Sequence, residues 1–253
     1  MFRTPTMIMA ATFLAITTFA VGPAAAQDER SVEEIEQIVR DYLLREPEIV
    51  YEAIQALQAR QQAAESERRR ASLVAFQEQI FEDPNDPVAG NPEGDVTLVE
   101  YFDYQCGYCR RMAPAMQALL EDDPNLRLVF KELPVLGPNS MVAARAAMAL
   151  SRIAPEHYLS YHFALMHTSD LSEDTILAEA EELGVDADAL MAEMESAPVA
   201  EAIQTNLQIA GELGINGTPS FVIGETIIPG AIPINQLTQL IEQQRQAALK
   251  VEG

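Results

Sequence analysis

Tyr101-Phe102-Asp103-Tyr104-Gln105-Cys106-Gly107-Tyr108-Cys109-Arg110 holds both cysteines of the 253-residue chain, spaced Cys-x-x-Cys. The run just before it, Val96 to Phe102, is apolar, β-branched and aromatic, which reads as a buried strand. From Arg110 to Leu120, Met112, Met116, Leu119 and Leu120 recur at helical spacing. The cysteines therefore fall where a strand hands over to a helix, with Cys106 at the helix N-terminus. Free N–H groups and the positive end of the helix dipole meet there, and both favour a thiolate over a thiol. Cys109, one turn further in, is the more shielded thiol. A structural disulfide across so short a loop restricts the unfolded chain little. A structural zinc site wants four ligands, and no second Cys or His pair stands at ligand spacing. Redox chemistry at the pair is the reading that uses the strand-turn-helix context.

A second signature lies far downstream, Gly214-Ile-Asn-Gly-Thr-Pro219-Ser-Phe-Val-Ile223. Taken together, the two resemble the active site of thioredoxin-fold disulfide oxidoreductases, and the long helical stretch between them resembles the insertion of the DsbA-like branch. Cys106-Gly-Tyr-Cys109, Phe130-Lys-Glu-Leu-Pro-Val-Leu-Gly137 and an N-terminal helical extension are most similar to the suppressor-of-copper-sensitivity C (ScsC) and Com1-like proteins. The core of the likeness covers about Pro87 to Gln244. It implies an α/β thioredoxin fold with an inserted helical subdomain, Cys106 as nucleophile and Cys109 as resolving thiol. It also implies that Pro219 is cis and presents the backbone of Thr218 to an extended substrate beside the nucleophile. Gly107 and Tyr108, between the cysteines, would face substrate and tune the thiolate. Glu100, six residues before Cys106, matches the family's buried acid, which assists proton transfer at the second cysteine; burial would raise its pKa. DsbA itself carries a histidine immediately before its second cysteine. Tyr108 stands there here, a departure that weakens the oxidase reading.

The first 26 residues read as a cleaved signal peptide: Arg3, an apolar run from Ile8 to Val21, and Ala24-Ala25-Ala26 before Gln27. Cleavage after Ala26 and export to the periplasm are the expectation, and export sets the cysteines to disulfide chemistry. No other stretch is apolar enough to cross a bilayer. A formal charge of −23 argues against nucleic acid or an anionic membrane as partner. Arg68-Arg69-Arg70 accordingly reads as a solvated helix face.

Residues 27–72 form an N-terminal helical extension in this reading. Ser31-Val-Glu-Glu34 fits a capping box opening a helix through about Leu44, and Pro47 stands where a second helix starts. Their apolar stripes, Ile35 to Leu43 and Ile49 to Leu57, are too few to enclose a core and call for a cover. Self-association through residues 31–57 is the sharper expectation, docking on the catalytic domain the other. Gln58 to Ser72 has no large apolar residue and reads as a solvated helix or helical linker. The thioredoxin domain is expected over 73–253, with its helical insertion at about 139–214. Within it, Val88 to Gly90 reads as an edge strand, Leu126 to Lys131 as a strand parallel to Val96 to Phe102, residues 220–228 as a hairpin, and Ile234 to Leu249 as a final helix. His157, His162 and His167 sit five apart on drifting faces, so they read as surface or partly packed residues. Lys131 and Glu132 read as an ion pair or as neighbours of the active site.

The function expected is thiol-disulfide exchange on exported proteins with cysteines, most of all protein disulfide isomerase, with a membrane thiol-redox partner and no cofactor or metal. A DsbA-like dithiol oxidase and a Cu(I)-binding copper-tolerance protein are the alternatives; two thiolates suit Cu(I).

Overall fold

The computed structural model describes residues 31–251, so the expected signal peptide at 1–26 lies outside the described residues. The chain divides into two compact units within one helix, between Ala59 and Arg60. In the first unit, α1 (Val32–Arg45) opens on Ser31, whose hydroxyl accepts from Glu34 N while the Glu34 carboxylate accepts from Ser31 N. This is the expected capping box, and it satisfies two of the orphan donors at the helix start. No residue of α1 is buried. Ile35, Ile38, Val39, Tyr42 and Leu43 line one exposed face, and Ile54 and Leu57 are exposed on α2 (Glu48–Ala75). α2 is continuous through Gln58 to Ser72 because that stretch, although polar, is built of strong helix formers and holds neither Gly nor Pro.

In the second unit a five-stranded sheet has the order β1-β3-β2-β4-β5. Its strands are β1 (Val88–Gly90), β2 (Val96–Phe102), β3 (Leu126–Glu132), β4 (Ser220–Ile223) and β5 (Thr226–Pro229). Only β2 and β3 pair in parallel, joined by α4 (Gly107–Asp122); the other neighbours are antiparallel. Side chains on these strands alternate between two cores, as the pleat requires. Leu98 and Phe102 of β2 and Leu126, Leu128 and Phe130 of β3 join Met112 and Met116 of α4 in the larger core. Val99, Tyr101 and Val129 face the other way, against Leu73, Ile80, Ile209 and Leu213.

Between β3 and β4 run five helices, α5 (Pro138–Ile153), α6 (Tyr158–His167), α7 (Glu173–Glu182), α8 (Ala187–Met194) and α9 (Ala197–Leu213), with a 3₁₀ turn at Pro155–His157 before α6. α9 stops at Gly214, whose φ of 69° is the left-handed cap that favours glycine. α3 (Gln77–Phe81) precedes the sheet and α10 (Ile234–Val251) follows it. Among the described residues, no helix is long and apolar enough to cross a membrane.

Lys131 and Glu132 are not a pair. As consecutive strand residues they face opposite sides of the sheet. Lys131, fully buried, is bonded to Asp86 and to the Gln79 carbonyl. Asn206 of α9 donates to the other Asp86 oxygen at 3.4 Å. Glu132 is buried with neither carboxyl oxygen hydrogen-bonded, and burial holds its pKa well above the usual carboxylate range.

Candidate active site

The geometry of the site begins with the handover from β2 to α4. Cys106 is the N-cap of α4, with φ −71° and ψ 109°, and its backbone N–H donates to the Asp103 carbonyl at 2.9 Å. The Cys106 sulfur accepts from Cys109 N at 3.2 Å, the role a serine or aspartate oxygen plays at an ordinary cap. It also lies 3.2 Å from the Thr218 carbonyl. The Thr218–Pro219 bond is cis, and β4, which starts one residue later, pairs antiparallel with β2, Ser220 against Tyr101. That pairing carries the cis-proline turn to the nucleophile from 112 residues away in sequence.

Both cysteines are free thiols, and their environments separate them. The Cys106 pKa is lowered to about 6, chiefly by the hydrogen bond from the Cys109 thiol. Burial opposes this, while Thr218 and the backbone N–H groups of Cys109 and Tyr108 assist it. Cys109 is pushed far up, first by burial, then by its bond to Cys106 and the charge of Glu100. At neutral pH one sulfur is a thiolate and its neighbour a thiol, which is the asymmetry that nucleophilic attack followed by resolution needs. Glu100 is 3% exposed on β2 and faces the same core as Cys109. Burial, and to a lesser degree the Cys106 charge, raise its pKa to about 8. An acid poised there can accept the proton that Cys109 must lose and return it near neutral pH.

The turn itself is held by groups that spacing in the sequence does not reveal. Asp103 is 1% exposed. Its Oδ1 accepts from Gln105 N at 2.7 Å and from the Ser140 hydroxyl at 2.7 Å; its Oδ2 accepts from Val135 N at 2.9 Å and Leu136 N at 3.0 Å. Gly137 has φ 151°, a backbone conformation that side chains rarely adopt, so this loop needs glycine there.

His162 proves buried, where a surface or partly packed place was expected. Its Nδ1 lies 3.1 Å from the Tyr104 hydroxyl, and Phe102 and Phe130 pack on its ring at 4.8 and 4.5 Å. Burial lowers its pKa to about 3, which keeps it neutral. Arg110 Nε donates to the Met166 carbonyl at 3.2 Å. Through these two bonds α6 is docked against the cysteine turn. Gly107 and Tyr108 are exposed beside the thiols, and the Arg111 guanidinium lies 4.3 Å from the Tyr108 ring centre. Among the described residues, no group of three or more His, Cys, Asp or Glu side chains is placed to hold a metal ion.

Comparison with known proteins agrees with this geometry. The DSBA-like thioredoxin domain family matches residues 97–242, and the N-terminal domain of the copper resistance protein ScsC matches residues 32–64. A thioredoxin-like oxidoreductase from Silicibacter pomeroyi superposes with a TM-score of 0.64 at 44% identity, covering 67% of this chain and 97% of that one. A periplasmic thioredoxin-like protein from Salmonella enterica serovar Typhimurium gives a TM-score of 0.60 at 30% identity, over 68% of this chain and 97% of that one. The Na(+)/H(+) antiporter NhaA 1 of Salinispora arenicola is 31% identical over 182 residues, which are 69% of this chain. The match spans only 28% of that antiporter's length.

Proposed function

Because the chain belongs to the DsbA-like thioredoxin family of thiol-disulfide oxidoreductases, on its ScsC branch, we propose that it is a protein disulfide isomerase acting on exported proteins in the periplasm. The observation that carries thiol exchange is the split between the two thiols beside the Thr218 carbonyl and Pro219; what tilts it to isomerase is the exposed apolar face of α1. The Cys106 thiolate attacks one sulfur of a client disulfide; a mixed disulfide forms and the other client sulfur leaves as a thiolate. A further client cysteine then attacks the client sulfur of the mixed disulfide. A new client disulfide forms, Cys106 leaves as a thiolate, and no net electrons are exchanged. Where that step stalls, Cys109 gives its proton to Glu100 and attacks Cys106. The client departs reduced, and the Cys106–Cys109 disulfide awaits reduction by a membrane thiol partner. An extended client pairs with the Thr218 backbone while this happens. Thr218, Pro219, Gly107 and Tyr108 make up the client-facing surface in this reading.

The exposed apolar face of α1 and the start of α2 supports assembly of several copies through residues 31–57, since such a stripe is costly to leave in water. Several thiolates facing one space suit a client with wrong pairings. The leader pattern at 1–26 supports export.

One observation favours a dithiol oxidase instead. A Cys106 pKa of about 6 stabilises the reduced pair and so makes its disulfide the more oxidising. The match to a copper resistance family keeps Cu(I) binding in view, and it would rest on Cys106 and Cys109 alone. Refolding of scrambled ribonuclease by the reduced protein, run beside oxidation of reduced ribonuclease by the oxidised protein, separates the first two. Recovery of activity from the scrambled enzyme is expected; turnover confined to the reduced enzyme would replace isomerase with oxidase. Tight stoichiometric Cu(I) with neither activity would support the third.

A further inference from the structure

We infer that Asp103 is a positioning residue for thiol exchange: its buried carboxylate locks the Cys106 turn to the Val135–Leu136 loop, so that two exposed apolar side chains stand in fixed register with the nucleophile. The inference rests on the thiol-exchange reading above and names the class of client it serves, a cysteine with an apolar side chain beside it.

The carboxylate joins its own turn to the stretch from Val135 to Ser140, more than thirty residues on in sequence. Gln105 N belongs to the nucleophile's turn, Val135 N and Leu136 N to the loop after β3, and the Ser140 hydroxyl to the first turn of α5. All four donors point at one side chain with no cation among its hydrogen-bond partners, so both oxygens are fully engaged. Ser140 Oγ also lies 2.9 Å from Gln105 Oε1. The nucleophile's turn and the loop are thereby held as one body.

What the loop presents is apolar and uncharged. Val135 is 51% exposed and Leu136 53%, while Pro134 before them and Ser140 after them are buried. From Leu133 to Met141 no side chain is charged, in a chain of net charge −23. A client sulfur bonded to Cys106 brings its flanking residues within about 7 Å, two residues of extended chain, so their side chains must lie near whatever borders the turn. On this border they meet Val135 and Leu136, an uncharged apolar surface, and an apolar neighbour gains by covering it.

The test is a ratio. The full chain is assayed for exchange with two mixed-disulfide peptides that differ only in having Leu or Ser beside the cysteine. We expect the wild type to favour the Leu peptide by about tenfold in kcat/KM, the scale of one partly covered apolar side chain. In Asp103→Asn the amide nitrogen faces either the Val135 and Leu136 N–H groups or the Gln105 N–H together with the Ser140 hydroxyl, and only that hydroxyl can turn to accept from it. At least one bond is lost either way, so the lock loosens and the ratio falls towards one. A merely structural role would slow both peptides alike and leave the ratio standing, which overturns the inference, as does a wild-type ratio near one. If Asp103→Asn does not fold by circular dichroism, the surface double variant V135S/L136S decides: it must lose the same preference, and a retained preference overturns the inference. If the wild type exchanges with neither peptide, the thiol-exchange reading itself fails, an outcome distinct from exchange without preference.

Discussion

At the scale of single residues, the site works by unequal treatment of two identical side chains. Cys106 caps a helix and collects donors; Cys109 lies inside the first turn and collects burial. A depressed pKa means that the thiolate is present above about 6 and is lost as the pH falls through that value. Alkylation of Cys106 by iodoacetamide should therefore be nearly flat from pH 7 to 8 and fall about tenfold for each pH unit well below the midpoint. Because the Cys109 thiol is the largest cause of the lowering, Cys109→Ala should move the midpoint up towards the ordinary 9.0 and slow alkylation at pH 6 severalfold. A profile unchanged in that variant would shift the credit to the helix N-terminus. Cys106, Cys109 and Glu100 were legible in the sequence because their relation is local: six residues along a strand and one turn of a helix. Pro219 was legible through its own motif. Asp103 and His162 were not, since, apart from Gln105 beside Asp103, the hydrogen-bond partners that place them lie 32 to 58 residues away and only the folded chain brings them together. A clue was present in Asp103, a charged residue between aromatics where the strand ends, but nothing local said what it would hold.

At the scale of elements, strand alternation explains both a success and a failure of the sequence. The period-two rule sorts β2 into two cores correctly because both its faces are apolar apart from Thr97 and Glu100. It also separates Lys131 from Glu132, which adjacency in the sequence had joined. The true partner of Lys131 is Asp86, in the turn-rich entrance to the sheet, and the pair ties that entrance to α3, β3 and α9 through Gln79 and Asn206. Burial pulls Asp86 up to about 6 despite the lysine. Removing one member leaves the other charge stranded. Lys131→Ala should cost about 3–5 kcal/mol in urea unfolding. The joint replacement Lys131→Met with Asp86→Leu should recover most of that loss, because an apolar pair of similar volume needs no desolvation. If the double variant is as unstable as the single one, the pair contributes specific geometry beyond charge neutralisation. α2 makes a related point: propensity alone carried a polar stretch into one long helix, where the absence of an apolar stripe had left a linker open.

At the scale of the whole molecule, the question is what covers the apolar face of α1 and the start of α2. The sequence showed the stripes and the need for a cover, and among the described residues the face stays exposed. The proposed answer is further copies of the chain, and it carries a consequence for activity as well as for mass. An isomerase must release a wrongly paired client sulfur and catch it again before the client diffuses away. Tethering several thiolates together raises their effective concentration, which multiplies apparent affinity by roughly 10²–10⁴ where the geometry allows. Deletion of residues 27–57 should therefore give a particle sedimenting as a monomer. Recovery of activity from scrambled ribonuclease should fall by about tenfold or more, while oxidation of small dithiols, which needs one active site, stays within about twofold. Ile38→Asp in the intact chain should act in the same direction, since a buried charge without a partner opposes assembly. The outcome that would sink the assembly argument is a truncated protein that sediments like the intact one, or a true monomer that still unscrambles ribonuclease at the intact rate. In that second case the paired environments of Cys106 and Cys109 would suffice for isomerisation, and the amphipathic helices would serve some other contact.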